Sequence, residues 1–201
     1  MTFRHGVRTA AILLAAGRGS RFGQPKALVR IDGEPLIARA ARALRGGGCD
    51  PVLAVIGAQA EDAATLTPSD ATFVVAERWA EGIGESLRAG LTAAATLDPL
   101  PEAALIHLVD LPDVGPEAIA RLLAQTGPDV LARAAYHGIP GHPVLLGRTH
   151  WPALLESVHG DRGAGPWLRA QPTVHLVECG DLATGADVDT ADALRAMGFT
   201  S

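Results

Sequence analysis

The stretch RTAAILLAAGRGSRFGQPKAL, Arg8–Leu28, decides how this chain is read. Its first part, Arg8–Leu14, is an apolar run that reads as a buried strand. Its second part sets Gly17, Gly19 and Gly23 among Arg18, Arg21 and Lys26. Glycine admits positive φ and lets a backbone approach a ligand closely, with N–H groups turned toward it. Neighbouring cations can add charge-assisted hydrogen bonds to a polyphosphate. A strand ending on a flexible cationic loop therefore points to phosphate binding. The plainer alternative is a glycine turn whose arginines are merely solvated.

Spacing disposes of two common nucleotide loops. A P-loop needs GxxxxGK followed by Ser or Thr, but Gly23 is followed by Gln24-Pro25-Lys26. A dinucleotide fingerprint needs GxGxxG opening a helix, whereas this loop reads GxGxxxG and then meets Pro25. The acidic residue expected after the second strand is also missing, since Val55-Ile56-Gly57-Ala58-Gln59 stands there.

Outward from the loop, strand and helix patterns alternate. Helices are expected at Pro35–Leu44, ended by Gly46-Gly47-Gly48, at Ser86–Leu97, and from Pro116 to about Ala124. Shorter ones are expected at Pro152–Ser157, Ala164–Ala170 and Ala191–Met197. Strands are expected at Val52–Ile56, Thr72–Ala76, Ala103–Val109, Asp129–Ala135, Pro143–Leu146 and Val174–Glu178. The segment YHGIPGH reads as a rigid loop presenting His142. This alternation predicts a three-layer α/β/α sandwich with a mostly parallel, Rossmann-like sheet. With no repeat or linker, residues 1–201 are expected to form one domain.

Apolar residues make up 48% of the chain and aromatics only 4%, so the core must be mostly Ala, Val, Leu and Ile. A formal charge of −5 argues against a general nucleic-acid binder. No apolar stretch is long enough to span a membrane. Cys49 and Cys179 show no ligand spacing and read as free thiols of a reducing cytoplasm. The basic N-terminus with its short apolar run fits a strand better than a signal peptide.

The acidic residues extend the argument. Asp110 follows a strand, where ligands of open α/β sheets bind, and beside a polyphosphate its natural task is to hold Mg²⁺. Capping a helix is the alternative, which suits Asp113 better, since it stands near Pro116. Asp187 and Asp189 precede the last helix, and either could cap it or bind metal.

LAAGRGSRFGQPK resembles the signature L-A-(A/G)-G-x-(S/G)-x-R-M-G-x-x-K of the nucleotidyltransferases that build molybdenum-cofactor dinucleotides, with Phe22 in place of Met. Five further elements follow along the chain. RWAEGIGESL resembles the W-x-x-G-(M/L)-x-x-S-L element of molybdenum cofactor cytidylyltransferases, VDLPDV its D-x-P element, and GIPGHPVL its substrate loop. DVDTADAL is similar to D-(I/V)-D-T-P-E-D, with Ala191 for Pro. GDRGA is similar to G-D-x-G-A, but the Arg expected next is absent, and Arg162 can substitute for it.

The resemblance implies a nucleotide-diphospho-sugar transferase fold and transfer of CMP from CTP to the phosphate of molybdopterin, releasing pyrophosphate. It implies nucleotide contacts from Leu14, Ala15, Ala16, Gly17, Arg18, Gly19, Ser20, Arg21, Lys26 and Asp110. Arg21, Lys26 and Asp110 would be catalytic, and Asp110 and Asp189 would ligate Mg²⁺. Gly82, Ser86, Gly141, His142, Asp161 and Arg162 would face the pterin-type acceptor. A molybdenum hydroxylase-type enzyme would receive the product. GTP users of the family carry a second glycine where this chain has Ala16, which favours CTP. The rivals are a relative using GTP or another phosphorylated acceptor, and a non-catalytic nucleotide or cofactor carrier.

Overall fold

A computed structural model describes residues 8–200. Strand β1 (Thr9–Leu14) is buried along its whole length. Its side chains alternate: Ala11 and Leu13 enter one apolar layer, Ile12 and Leu14 the other. The chain then forms a small hairpin, β2 (Arg30–Ile31) and β3 (Glu34–Pro35), followed by α1 (Leu36–Gly46). Next come β4 (Val52–Ile56), α2 (Ala60–Leu66), β5 (Thr72–Val75), α3 (Ile83–Ala95) and β6 (Ala103–Leu108). Then follow α4 (Pro116–Leu123), β7 (Leu131–Tyr136), β8 (Ile139–Gly147) and α5 (Trp151–Ser157). The series closes with α6 (Ala164–Arg169), β9 (His175–Glu178) and α7 (Ala191–Ala196).

Seven strands form one sheet in the order β5-β4-β1-β6-β8-β7-β9. β8 runs antiparallel to both its neighbours, and all other pairs are parallel. One face packs against α1, α4 and α7, the other against α3, α5 and α6, giving the expected three-layer α/β/α sandwich. From β1 the chain winds outward to β4 and β5, then returns to place β6 on the opposite flank. This reversal opens a crevice at the carboxyl ends of β1 and β6, where ligands of such sheets bind.

Three expectations need correction. YHGIPGH is not a loop. His137 and Gly138 adopt φ of 52° and 79°, a two-residue hairpin turn whose twist matches its strands, so Ile139 already begins β8. Pro140 and Pro143 are tolerated because this half of β8 pairs with β7 alone, while β6 joins only from Val144 onward. Helix α3 starts at Ile83, a turn before Ser86, because Gly82 caps it with φ of 131°. Finally, neither Asp113, Asp187 nor Asp189 caps a helix. Gly115 precedes α4, and Thr190 caps α7 by accepting a hydrogen bond from the Ala193 N–H. Asp113 instead accepts from the Thr184 N–H and hydroxyl, both at 2.6 Å.

Trp151 is core, its indole N–H donating to the Leu146 carbonyl at 3.1 Å. Trp167 is half-buried against the edge of His150. Both cysteines are free and buried, and burial pushes the Cys49 thiol up to about 12. Among the described residues, no helix is long and apolar enough to cross a membrane.

Candidate active site

The crevice holds a pocket of about 370 Å³. Its floor is the end of β1 and its rim the glycine loop: Leu14, Ala16, Gly17, Arg18, Gly19 and Lys26 all line it. Gly19 has φ of 59°, and an added Cβ would collide with the Gln24 carbonyl, so the loop closes this tightly only with glycine there. Arg18 lies over the Trp79 ring, 5.2 Å from its centroid. Trp79 itself rests on Gly57, where a side chain would strike the indole, and both Trp79 and Arg18 line the pocket.

Across the pocket, Asp110 stands just beyond β6 and meets Lys26 Nζ at 2.6 Å. The same ammonium reaches Asp189 at 2.5 Å, and Arg21 also pairs with Asp189. Asp189 comes from the far end of the chain. Its segment is fastened where the Val188 N–H donates to the Asp110 carbonyl at 2.9 Å and the Val188 side chain is fully buried. Burial works to lower the Lys26 pKa, but the hydrogen bonds and charges of Asp110 and Asp189 outweigh it and hold Lys26 above its ordinary value. The hydrogen bond from Lys26 in turn holds Asp189 below the usual carboxylate range.

Asp110, Asp187 and Asp189 each offer a carboxylate oxygen, all within 4.8 Å of one another. Asp110 Oδ1 is buried with no hydrogen-bond partner among the described residues, a costly position unless something fills it. An all-oxygen carboxylate set with one unpartnered buried oxygen fits a hard divalent cation. Asp187, left open by its sequence, belongs to this cluster.

The remaining predicted residues fall into groups. Gly82, Ser86 and Asp161 line the same pocket, at the start of α3. There the Gly84 N–H donates to the Gly160 carbonyl at 2.8 Å and buried Glu85 accepts from the Gly160 N–H at 3.3 Å. His142 lines an adjoining cavity. Burial lowers its pKa, only partly countered by its contact with the Ile106 carbonyl. Gly141 packs against the Tyr136 ring. Arg162 is exposed, Ser20 and Arg21 lie outside the pocket lining, and Ala15 is directed into the core. Three residues lie beyond the predicted set: Asp187, whose role its sequence leaves open, Trp79, which the W-x-x-G spacing already marks, and Arg133, which no motif marks.

Comparison with known proteins agrees with this geometry. Residues 11–175 match the MobA-like NTP transferase domain. The chain is 37% identical over 195 residues to a Paenarthrobacter nicotinovorans protein named nicotine blue oxidoreductase, covering 91% of this chain and 93% of that one. The crystal structure of Rv0371c from Mycobacterium tuberculosis superposes with a TM-score of 0.79 at 25% identity, over 95% of this chain and 97% of that one. The same mycobacterial protein has also been solved in complex with manganese. Molybdopterin-guanine dinucleotide biosynthesis protein A from Archaeoglobus fulgidus shares the fold, with a TM-score of 0.66 at 19% identity over 94% of this chain and 95% of that one. With the family model spanning most of its length and the fold shared, the chain belongs to the MobA-like NTP transferase family and is a nucleotidyltransferase.

Proposed function

We propose that the protein transfers CMP from CTP to the terminal phosphate of a molybdopterin-type acceptor. The observation carrying this reading is the convergence of Asp110, Asp187 and Asp189 with Lys26 beside the glycine loop. An acceptor phosphate oxygen attacks the α-phosphorus, and the bond to the bridging oxygen breaks. Pyrophosphate leaves with that electron pair. The nucleophile is already ionised at neutral pH, so the chain's task is alignment and charge neutralisation. Arg18 and Lys26 line the pocket and Arg21 flanks it through Asp189, so all three would offset charge on the triphosphate. The charges of Asp110 and Asp189 hold the Lys26 pKa above its ordinary value. A divalent cation, Mg²⁺ in this proposal, would be held by Asp110 and Asp189 with Asp187, and would offset charge on the phosphates. The cytoplasm and a molybdenum hydroxylase-type recipient complete the reading.

The test is pyrophosphate release from molybdopterin, Mg²⁺ and either CTP or GTP, with the dinucleotide product identified. Asp110→Asn should lower metal-dependent release by at least about a hundredfold. Unchanged release in this variant would sink the assignment. The name of the Paenarthrobacter relative favours a second reading, reduction of a dye-like acceptor. Acceptor-dependent oxidation of NADH or NADPH, with no pyrophosphate formed from any nucleotide, would establish it instead.

A further inference from the structure

A second cavity, of about 280 Å³, adjoins the nucleotide pocket. The two share Leu14, Ile83, Leu108 and Asp161, so they are continuous along the carboxyl edge of the sheet. Arg133 of β7 and His142 of β8 also line this second cavity. Arg133 is half-buried, and its Nε donates to the Gly141 carbonyl at 3.0 Å. Burial and the nearby charge of Arg169 both hold its pKa below the ordinary arginine value, and among the described residues no carboxylate counters them. An arginine cannot shed its proton to escape this situation. A partly desolvated cation of this kind needs an anion. Asp161, the carboxylate on the lining, stands at the side shared with the nucleotide pocket and makes no ion pair with Arg133.

The charges of Arg133 and Asp110 both act on the His142 ring, so the unpartnered cation lies within electrostatic reach of the site where the α-phosphate would be attacked. The rest of the lining is largely apolar, including Ile106, Pro166 and Leu168. A cationic point beside an apolar wall is the complement of a phosphate monoester carried on a planar or apolar body.

We propose that this cavity binds the phosphate monoester of the acceptor, with Arg133 as its anion-binding residue. The acceptor's role rests on the transferase reading above, whereas anion binding by Arg133 does not. The guanidinium holds two phosphate oxygens and leaves the third facing the nucleotide pocket.

The probe is phenyl phosphate, titrated calorimetrically into the wild-type chain and into Arg133→Gln and Arg133→Lys, with CTP and Mg²⁺ titrated in parallel. Phenyl phosphate should bind the wild type saturably, about tenfold or more weakly to Arg133→Gln, and with partial recovery in Arg133→Lys. CTP affinity should stay within about twofold in all three. Equal phenyl phosphate binding by wild type and Arg133→Gln, or no saturable binding to the wild type, overturns the proposal. So does an equal loss of CTP binding in Arg133→Gln, which would place Arg133 on the nucleotide side. Arg133-dependent phenyl phosphate binding without turnover of any nucleoside triphosphate upholds the anion site and removes the transferase reading.

Discussion

At Ala16 a single methyl group, 4% exposed, forms part of the wall of the pocket proposed for the nucleotide. Its backbone is fixed, because its carbonyl accepts from the Ala58 N–H at 3.1 Å, so the methyl cannot swing aside for a larger base. One methyl group discriminates by about 1–3 kcal/mol. Ala16→Gly should therefore raise kcat/KM for GTP relative to CTP by about tenfold; an unchanged ratio would show that the base is read elsewhere. The neighbouring charges were partly legible from the sequence. Asp110 stood out because it ends a strand, and Lys26 because it follows the glycines. Asp187 is ambiguous beside Asp189, since Asp110 meets the pair only after the chain folds back. Arg133 was silent because an arginine within LARAAY carries no sign of which cavity its face of the sheet lines.

Among the elements, α3 and the His159–Gly163 turn behave as one unit. The turn is closed by reciprocal bonds between His159 and Arg162, and is tied to α3 through Gly84 and Glu85. Gly82 is the pivot: its φ of 131° is open to glycine, and an added Cβ would meet Gly160 and Asp161. Gly82→Ala should cost about 1–3 kcal/mol of stability and displace Asp161 from the pocket. Urea unfolding read together with the KM for the acceptor checks both effects; a variant with unaltered midpoint and KM would contradict this account. The small β2–β3 hairpin turns at Asp32-Gly33, with φ of 52° and 81°, a pair of residues that signals such a turn. That signal was readable, but two-residue strands are too short to show alternation. The β7–β8 hairpin is hidden in the sequence for a different reason: its prolines suggest a loop, and only the pairing of β8 shows that one flank is free to receive them.

For the molecule as a whole, His107 links stability to pH. It is fully buried on β6, and neither ring nitrogen has a partner among the described residues. Burial, with a smaller contribution from His142, pushes its pKa down to about 3. The folded chain therefore keeps this ring neutral while the unfolded chain protonates it near its ordinary value of about 6.5. Between those values the unfolded state binds the extra proton. The contribution of this residue to stability is full above about pH 6.5 and falls as pH drops toward about 3, by up to about 1.4 kcal/mol per pH unit. His107→Leu should lose that dependence and be at least as stable at pH 7, since two unsatisfied buried nitrogens are gone. Urea unfolding at pH 7 and pH 5.5 decides the matter: parallel declines in both proteins would refute it.

The sequence by itself determined the alternation of strands and helices, the loop after β1, and the chemistry available at Lys26, Asp110 and Asp189. These follow from local periodicity and from residue types whose character travels with them. It also located β1 and β4 closely, because buried strands are continuous apolar runs bounded by turn residues. Only the tertiary structure decided which charges meet, that β8 runs against its neighbours, and that Arg133 lines a cavity with no ion-pair partner among the described residues. Such facts depend on contacts between residues far apart in the chain, among them Lys26 with Asp189. Distance between side chains is set by packing, and packing is not written in any local stretch.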